Sequence, residues 1–164
     1  MSPADFYLGR LDAVETRLAT LAEASPPAGA LTDADPSTGE RWDRGQVWAH
    51  LAEFIPYWIA QSRPILEAQA STEPVPFGRT KADSERIGAI ERDRREPVAA
   101  LWSDTRTDIG QLRAFLEALS LEQWDAAGLH PTLGVMSISK IVEEFLVGHL
   151  EQHADQLEGL AAAG

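Results

Sequence analysis

Residues Ser137 to Leu160 read SISKIVEEFLVGHLEQHADQLEGL, and this stretch decides the fold. Ile138, Ile141, Val142, Phe145, His149, His153, Gln156 and Leu160 fall on or beside one stripe at helical spacing, so the segment is expected to form one amphipathic helix with Ser137 as its cap. His149 and His153 stand four residues apart, a step of roughly 40° and about 6 Å, so both imidazoles project from the same face, one turn apart. Two rings so placed can grip one metal ion, although a buried helix with two core histidines has the same pattern.

Working outward, three more helices share this amphipathic character. Ser2, Pro3 and Asp5 give a helix start, followed by Tyr7, Leu11, Val14, Leu18 and Leu21 at steps of four and three. A second start has Asp43 as cap, Gln46 reaching back to it and Trp42 stapled onto Val47. Val47, Leu51, Phe54, Trp58 and Ile65 then share one face, and His50 lies on the same stripe, a third inward histidine. Pro56 and Pro64 each remove a backbone hydrogen bond, which predicts a kink beyond His50 or an early end to the helix. Helix is expected again from about Lys81 to Leu119, weak at Ile87 and Ile90, interrupted near Glu96 and Pro97, and strong over Val98, Leu101, Thr105, Ile109, Leu112, Leu116 and Leu119.

The connections are long. Ser25 to Glu40 is rich in Pro, Gly, Ser and Asp and reads as a loop, the kind that borders a site at a bundle end. Ser71 to Thr80 is a Pro- and Gly-bearing connector, and a short turn is expected after Ser120, anchored by Trp124. No period-two alternation lasts long enough to predict a strand. The expected fold is therefore all-α, an antiparallel-type four-helix bundle with long connections, forming a single domain over residues 1–164.

Composition narrows the function. Lys plus Arg number 14 against 26 Asp plus Glu, and the net charge of −12 repels polyphosphate and anionic lipid, so neither nucleic acid nor a membrane is an expected partner. The cluster Arg92, Arg94 and Arg95 is interleaved with Glu91, Asp93 and Glu96 and reads as a solvated face. With no secretion signal and no apolar run of about 20 residues, a cytoplasmic location is expected. There is no cysteine, hence no disulfide, thiolate metal site or protein thiol nucleophile.

Three neutral imidazoles from two helices can cap a divalent ion while leaving coordination positions open, as water activation or substrate binding requires. Imidazole ligation suits zinc, nickel, copper and iron alike, and zinc leads on availability. Glu53 and Tyr57, three and seven residues after His50, are the candidate acid or base residues facing such a site. His130, in the HP turn, reads as a turn or supporting residue.

The set WDRGQVWAHL around His50, then EQW, HPTLGVMSI and HLEQH, resembles the DinB-like superfamily, which includes the N-terminal domain of mycothiol-dependent maleylpyruvate isomerase. The resemblance spans nearly the whole chain and maps the family's metal ligands onto His50, His149 and His153; the isomerase-like branch carries a glutamate where this chain has His149. It implies a four-helix bundle, often a homodimer, with zinc or nickel at the base of a cleft. It also implies a transferase or isomerase in which a low-molecular-weight thiol such as mycothiol or bacillithiol is held at the metal as nucleophile toward a small electrophile. Metal-dependent hydrolysis and a non-enzymatic helical ligand-binding or interaction protein are the alternatives.

Overall fold

The computed structural model describes residues 1–68 and 73–163. Helix α1 spans Pro3–Glu23, α2 Arg44–Glu67, α3 Ser84–Asp93 and α4 Val98–Ala118. The histidine-bearing segment follows as α5 (Ile138–Ile141), a π-helical turn (Val142–Leu146) and α6 (Val147–Ala162). Each of α1 and α2 packs on both α4 and α6, so α1 and α2 occupy opposite corners of a four-helix bundle. Consecutive helices lying across a diagonal must be joined over the bundle end, which is why the connection between α1 and α2 is long.

The helix starts form as their sequence dictates. Ser2 and Asp5, and likewise Asp43 and Gln46, exchange both bonds of a capping box, and Ser137 Oγ accepts from the Lys140 amide at 3.2 Å. Tyr7, Leu11, Val14, Leu18 and Leu21 are all buried, as are Leu101, Thr105, Ile109, Leu112 and Leu116 on α4, the stripes that the spacing predicts. Burying one such aliphatic side chain contributes roughly 1.5–3 kcal/mol, and dozens of these contacts outweigh any capping term. α2 does not end early: it runs through Pro56 and Pro64 to Glu67. Phe54, Ile55, Trp58, Ile59, Ser62 and Ile65 are buried on either side of the two prolines, so packing along this stretch compensates for the lost bonds.

Two expectations need correction. The first is the absence of strands. Val75–Pro76 (β1), Ala127–His130 (β2) and Gly134–Ser137 (β3) form a three-stranded sheet in that order, β1 parallel and β3 antiparallel to β2. The longest strands have four residues, and their buried positions are Gly128, His130 and Met136, so no apolar alternation marks them. Gly134 closes the hairpin at φ +78°, a conformation that costs glycine little. Of the connector expected over 71–80, residues 71–72 lie outside the described residues, and the remainder contains β1.

The second correction is to the single helix over Ser137 to Leu160. The π turn inserts one residue, so Leu146 and Val147 are both buried after Val142, and the stripe then continues one position later through Leu150, His153, Ala154, Leu157 and Leu160. Phe145, predicted in the core stripe, is partly exposed and instead walls a cleft. Gly148 makes the turn possible, since a Cβ there would stand 2.0 Å from the Glu143 carbonyl oxygen. From outside, Arg10 on α1 donates to Glu143 within the turn at 2.6 Å and to Glu151 on α6, clamping the two sides. No helix among the described residues is long and apolar enough to cross a membrane.

Candidate metal centre

The three histidines named from the sequence meet. His50 Nε2 lies 2.9 Å from His149 Nε2, and His153 Nε2 lies 3.0 Å from the same atom. Around an ion bound tetrahedrally at 2.0–2.1 Å the nitrogens would stand about 3.3 Å apart, so these two contacts would open by a few tenths of an ångström, and the three ligand atoms all lie within 4.8 Å of one another. The rings stand nearly perpendicular to one another, with His50 and His153 almost fully buried and His149 partly exposed on the side of the cavity.

Each ring has a polar side chain three residues on. His153 Nδ1 donates to Gln156 Oε1 at 2.7 Å, and His149 is hydrogen-bonded to Gln152. His50 Nδ1 faces Glu53 Oε2 at 2.8 Å without a well-aligned hydrogen bond, so that contact is mainly electrostatic. With protons on the Nδ1 side, the Nε2 lone pairs point to one another, an unfavourable arrangement unless a cation takes them. Desolvation pushes His50 and His149 well below the usual imidazole range, with repulsion from neighbouring rings adding to it, and lowers His153 to about 4. All three are therefore neutral at pH 7, the form that binds metal. The donor set, its protonation and its convergence fit a divalent ion; three neutral nitrogens leave room for further ligands from the cavity.

A supporting chain runs behind His50. Arg79 Nη2 grips both Glu53 oxygens at 2.6 and 2.7 Å, while its guanidinium lies 4.0 Å from the centre of the Tyr57 ring. Burial raises the Glu53 pKa and the Arg79 bond opposes that rise. His130 holds the backbone of Arg79. Its Nδ1 accepts the Thr132 and Leu133 amides at 3.2 Å each, so Nε2 carries the proton and donates to the Arg79 carbonyl at 3.1 Å. The supporting role expected of His130 is thus a hydrogen bond to the Arg79 backbone, and His130 is outside the three-histidine cluster. Glu53 touches His50 rather than the cavity, and Tyr57 packs beneath Arg79; neither lines the cavity beside the histidines.

That cavity, about 250 Å³, opens over His149 between the α1–α2 connection and the π turn. Thr32, held by Trp42 through bonds of 2.8 and 2.9 Å, fixes the loop as one wall. Trp42 stacks on His153 at 6.2 Å and 8°, while Phe145 forms the opposite wall, stacked on Trp58 at 3.9 Å and 5°. Sequence reasoning placed Trp42 only as a helix staple. It did not single out Gln152, Arg79 or Arg86 for the site, although the spacing H-x-x-[EQ], repeated at 50–53, 149–152 and 153–156, is a readable signal for the orienting partners.

No family model matches the chain, and no curated protein matches it. Among solved structures, YfiT from Bacillus subtilis superposes with a TM-score of 0.73 at 19% identity, covering 96% of this chain and 85% of that one. It is described as "a probable metal-dependent hydrolase with an unusual four-helix bundle topology". The mycothiol-dependent maleylpyruvate isomerase gives a TM-score of 0.69 at 13% identity, covering 96% of this chain, which spans 63% of the isomerase. An uncharacterised protein from Clostridium difficile 630 gives 0.65 at 10% identity, over 95% of this chain and 94% of its own. At these identities the likeness is one of fold. The chain therefore has the four-helix-bundle fold of YfiT, shared with the mycothiol-dependent maleylpyruvate isomerase.

Proposed function

We propose that the protein is a metal-dependent enzyme whose ion is held by His50, His149 and His153, and that it catalyses transfer or isomerisation with a low-molecular-weight thiol as nucleophile. The observation that carries this reading is the convergence of three neutral Nε2 atoms beside an open cavity in a chain without cysteine. A bound zinc or nickel ion would supply Lewis acidity, lowering the pKa of a thiol or water brought to it. The chain's own residues do the rest. Gln156 holds His153 in the tautomer that presents Nε2 inward, with Gln152 beside His149 and the Glu53 carboxylate beside His50 Nδ1 favouring the same orientation. Trp42 and Phe145 flank the approach to His149, restricting water and offering apolar surface to a small electrophile.

The second reading, metal-dependent hydrolysis at the same three ligands, is favoured by the description of YfiT. One experiment separates them. Metal-free protein reloaded with zinc is assayed with a chlorodinitrobenzene electrophile, with and without added cysteine or mycothiol, and with a nitrophenyl ester. The thiol reading expects one ion per chain, loss of that ion on His50→Ala, His149→Ala or His153→Ala, and turnover only with thiol. Ester turnover that needs no thiol selects the hydrolase, and a folded wild type that takes up no metal overturns both.

A further inference from the structure

An inner recess of about 100 Å³ reaches His50 and His149 and is lined by Arg79, Lys81 and Arg86, with no carboxylate on its surface. In a chain of net charge −12 that concentration of cations runs against the composition. Two of the three are neutralised: Arg79 by Glu53 at 2.6 Å, and Lys81 by Asp35 at 2.6 Å. Arg86, on α3, differs. It is partly buried, donates one Nη1 bond to the Lys81 carbonyl at 3.0 Å, and lies 5.4 Å from the centre of the Trp42 ring; among the described residues no carboxylate forms an ion pair with it.

Glu53, Glu40 and Asp35 act on Arg86 only from beyond contact distance, and a guanidinium withdrawn from water without a carboxylate in contact is costly, while its planar fork matches one. The acids at the cavity mouth, Asp33, Glu40 and Glu144, are exposed to water, where their repulsion is screened. The Arg86 contact is more sheltered and carries more weight per charge.

We infer that Arg86 binds a carboxylate of the molecule that occupies the open side of the three-histidine centre, so that the thiol or electrophile used here is an acid. This rests on the metal-centre reading, and the test separates the two. Cobalt-loaded protein is titrated with mercaptoacetate and with mercaptoethanol, which differ in little but the carboxylate, following thiolate-to-cobalt charge-transfer absorbance. Wild type, Arg86→Gln and Arg86→Lys are compared, so intrinsic differences between the two thiols cancel in the ratio. Wild type should prefer mercaptoacetate by about tenfold to a hundredfold, the weight of one charge-assisted hydrogen-bond pair. Arg86→Gln should abolish that preference, Arg86→Lys should keep part of it, and mercaptoethanol affinity should stay within about twofold. No preference in the wild type, or one that survives Arg86→Gln, overturns the assignment.

If cobalt is not taken up, or neither thiol reaches it, the metal reading has failed and the anion site is judged alone. Sodium acetate is then titrated into metal-free protein while the Arg86 Nε–H resonance is followed by NMR. A saturable shift supports the site; a flat response overturns it.

Discussion

Substituting Gly148 by alanine tests whether the π turn builds the site. The added Cβ would meet the Glu143 carbonyl oxygen at 2.0 Å, at least 1.0 Å inside the 3.0 Å limit of real contacts. The obstacle is backbone, which cannot swing aside as a side chain would. Overpacking of this kind costs about 1–3 kcal/mol, and rigid backbone on one side puts this case near about 3 kcal/mol. The turn can relieve the clash by reverting to α-helix, expelling one residue from the register. Everything beyond it would then rotate by about 100°, carrying His149 and His153 away from His50. Denaturant unfolding followed by circular dichroism should register the lost stability, and zinc titration calorimetry a fall in affinity of at least tenfold. Gly110→Ala is the control: mid-helix, with nothing within 4 Å of the new Cβ, it should stabilise by up to about 1 kcal/mol. A Gly148→Ala protein within about 0.5 kcal/mol of wild type and with unchanged zinc affinity would refute this role for the π turn.

Glu53→Gln keeps an oxygen near His50 Nδ1 but removes its charge and the partner of Arg79; zinc affinity should fall by about 10- to 100-fold, measured by competition with a chromophoric chelator, and an unchanged value would remove Glu53 from the site's support. Asp108 is raised from 3.8 to about 6 by burial and then by Asp104, so its folded pKa exceeds its unfolded one. Its contribution is fully present below 3.8 and is lost as pH rises through 6. Asp108→Asn should therefore stabilise the protein at pH 7 to 8 by about 1 kcal/mol, the shift being discounted for solvent screening, and leave it unchanged near pH 3.5. A gain equal at both pH values would exclude the charge as the cause. Arg10→Met, which opens the clamp across the π turn, should cost below about 1 kcal/mol and cost less in high salt, the mark of exposed ion pairs.

Much of this was legible in the residues, for identifiable reasons. The four long helices write their apolar stripes at one period and their capping boxes at fixed spacing, so α1, α2 and α4 emerge with their buried faces correct. His50 stood out because an imidazole on an otherwise apolar stripe must point inward. The π turn was hidden because a single period fits Ile138 to Phe145 and again His149 to Leu160, and only the apolar run Phe145, Leu146 and Val147 betrays the extra residue. The sheet was hidden because its inward positions are glycine, histidine and methionine. Arg79 and Arg86 were invisible because their approach to the histidines depends on how the β1–α3 connection folds back over α2, a long-range contact that no local spacing encodes.

The central claim is that His50, His149 and His153 hold one functional metal ion. X-ray diffraction from zinc-loaded crystals, collected above and below the zinc absorption edge, tests it most directly. The account predicts a single anomalous peak per chain, about 2.0–2.1 Å from each of the three Nε2 atoms and facing the cavity past His149. Three histidine rings that keep their Nε2 contacts with no anomalous peak between them, or a peak held by other residues, would contradict it.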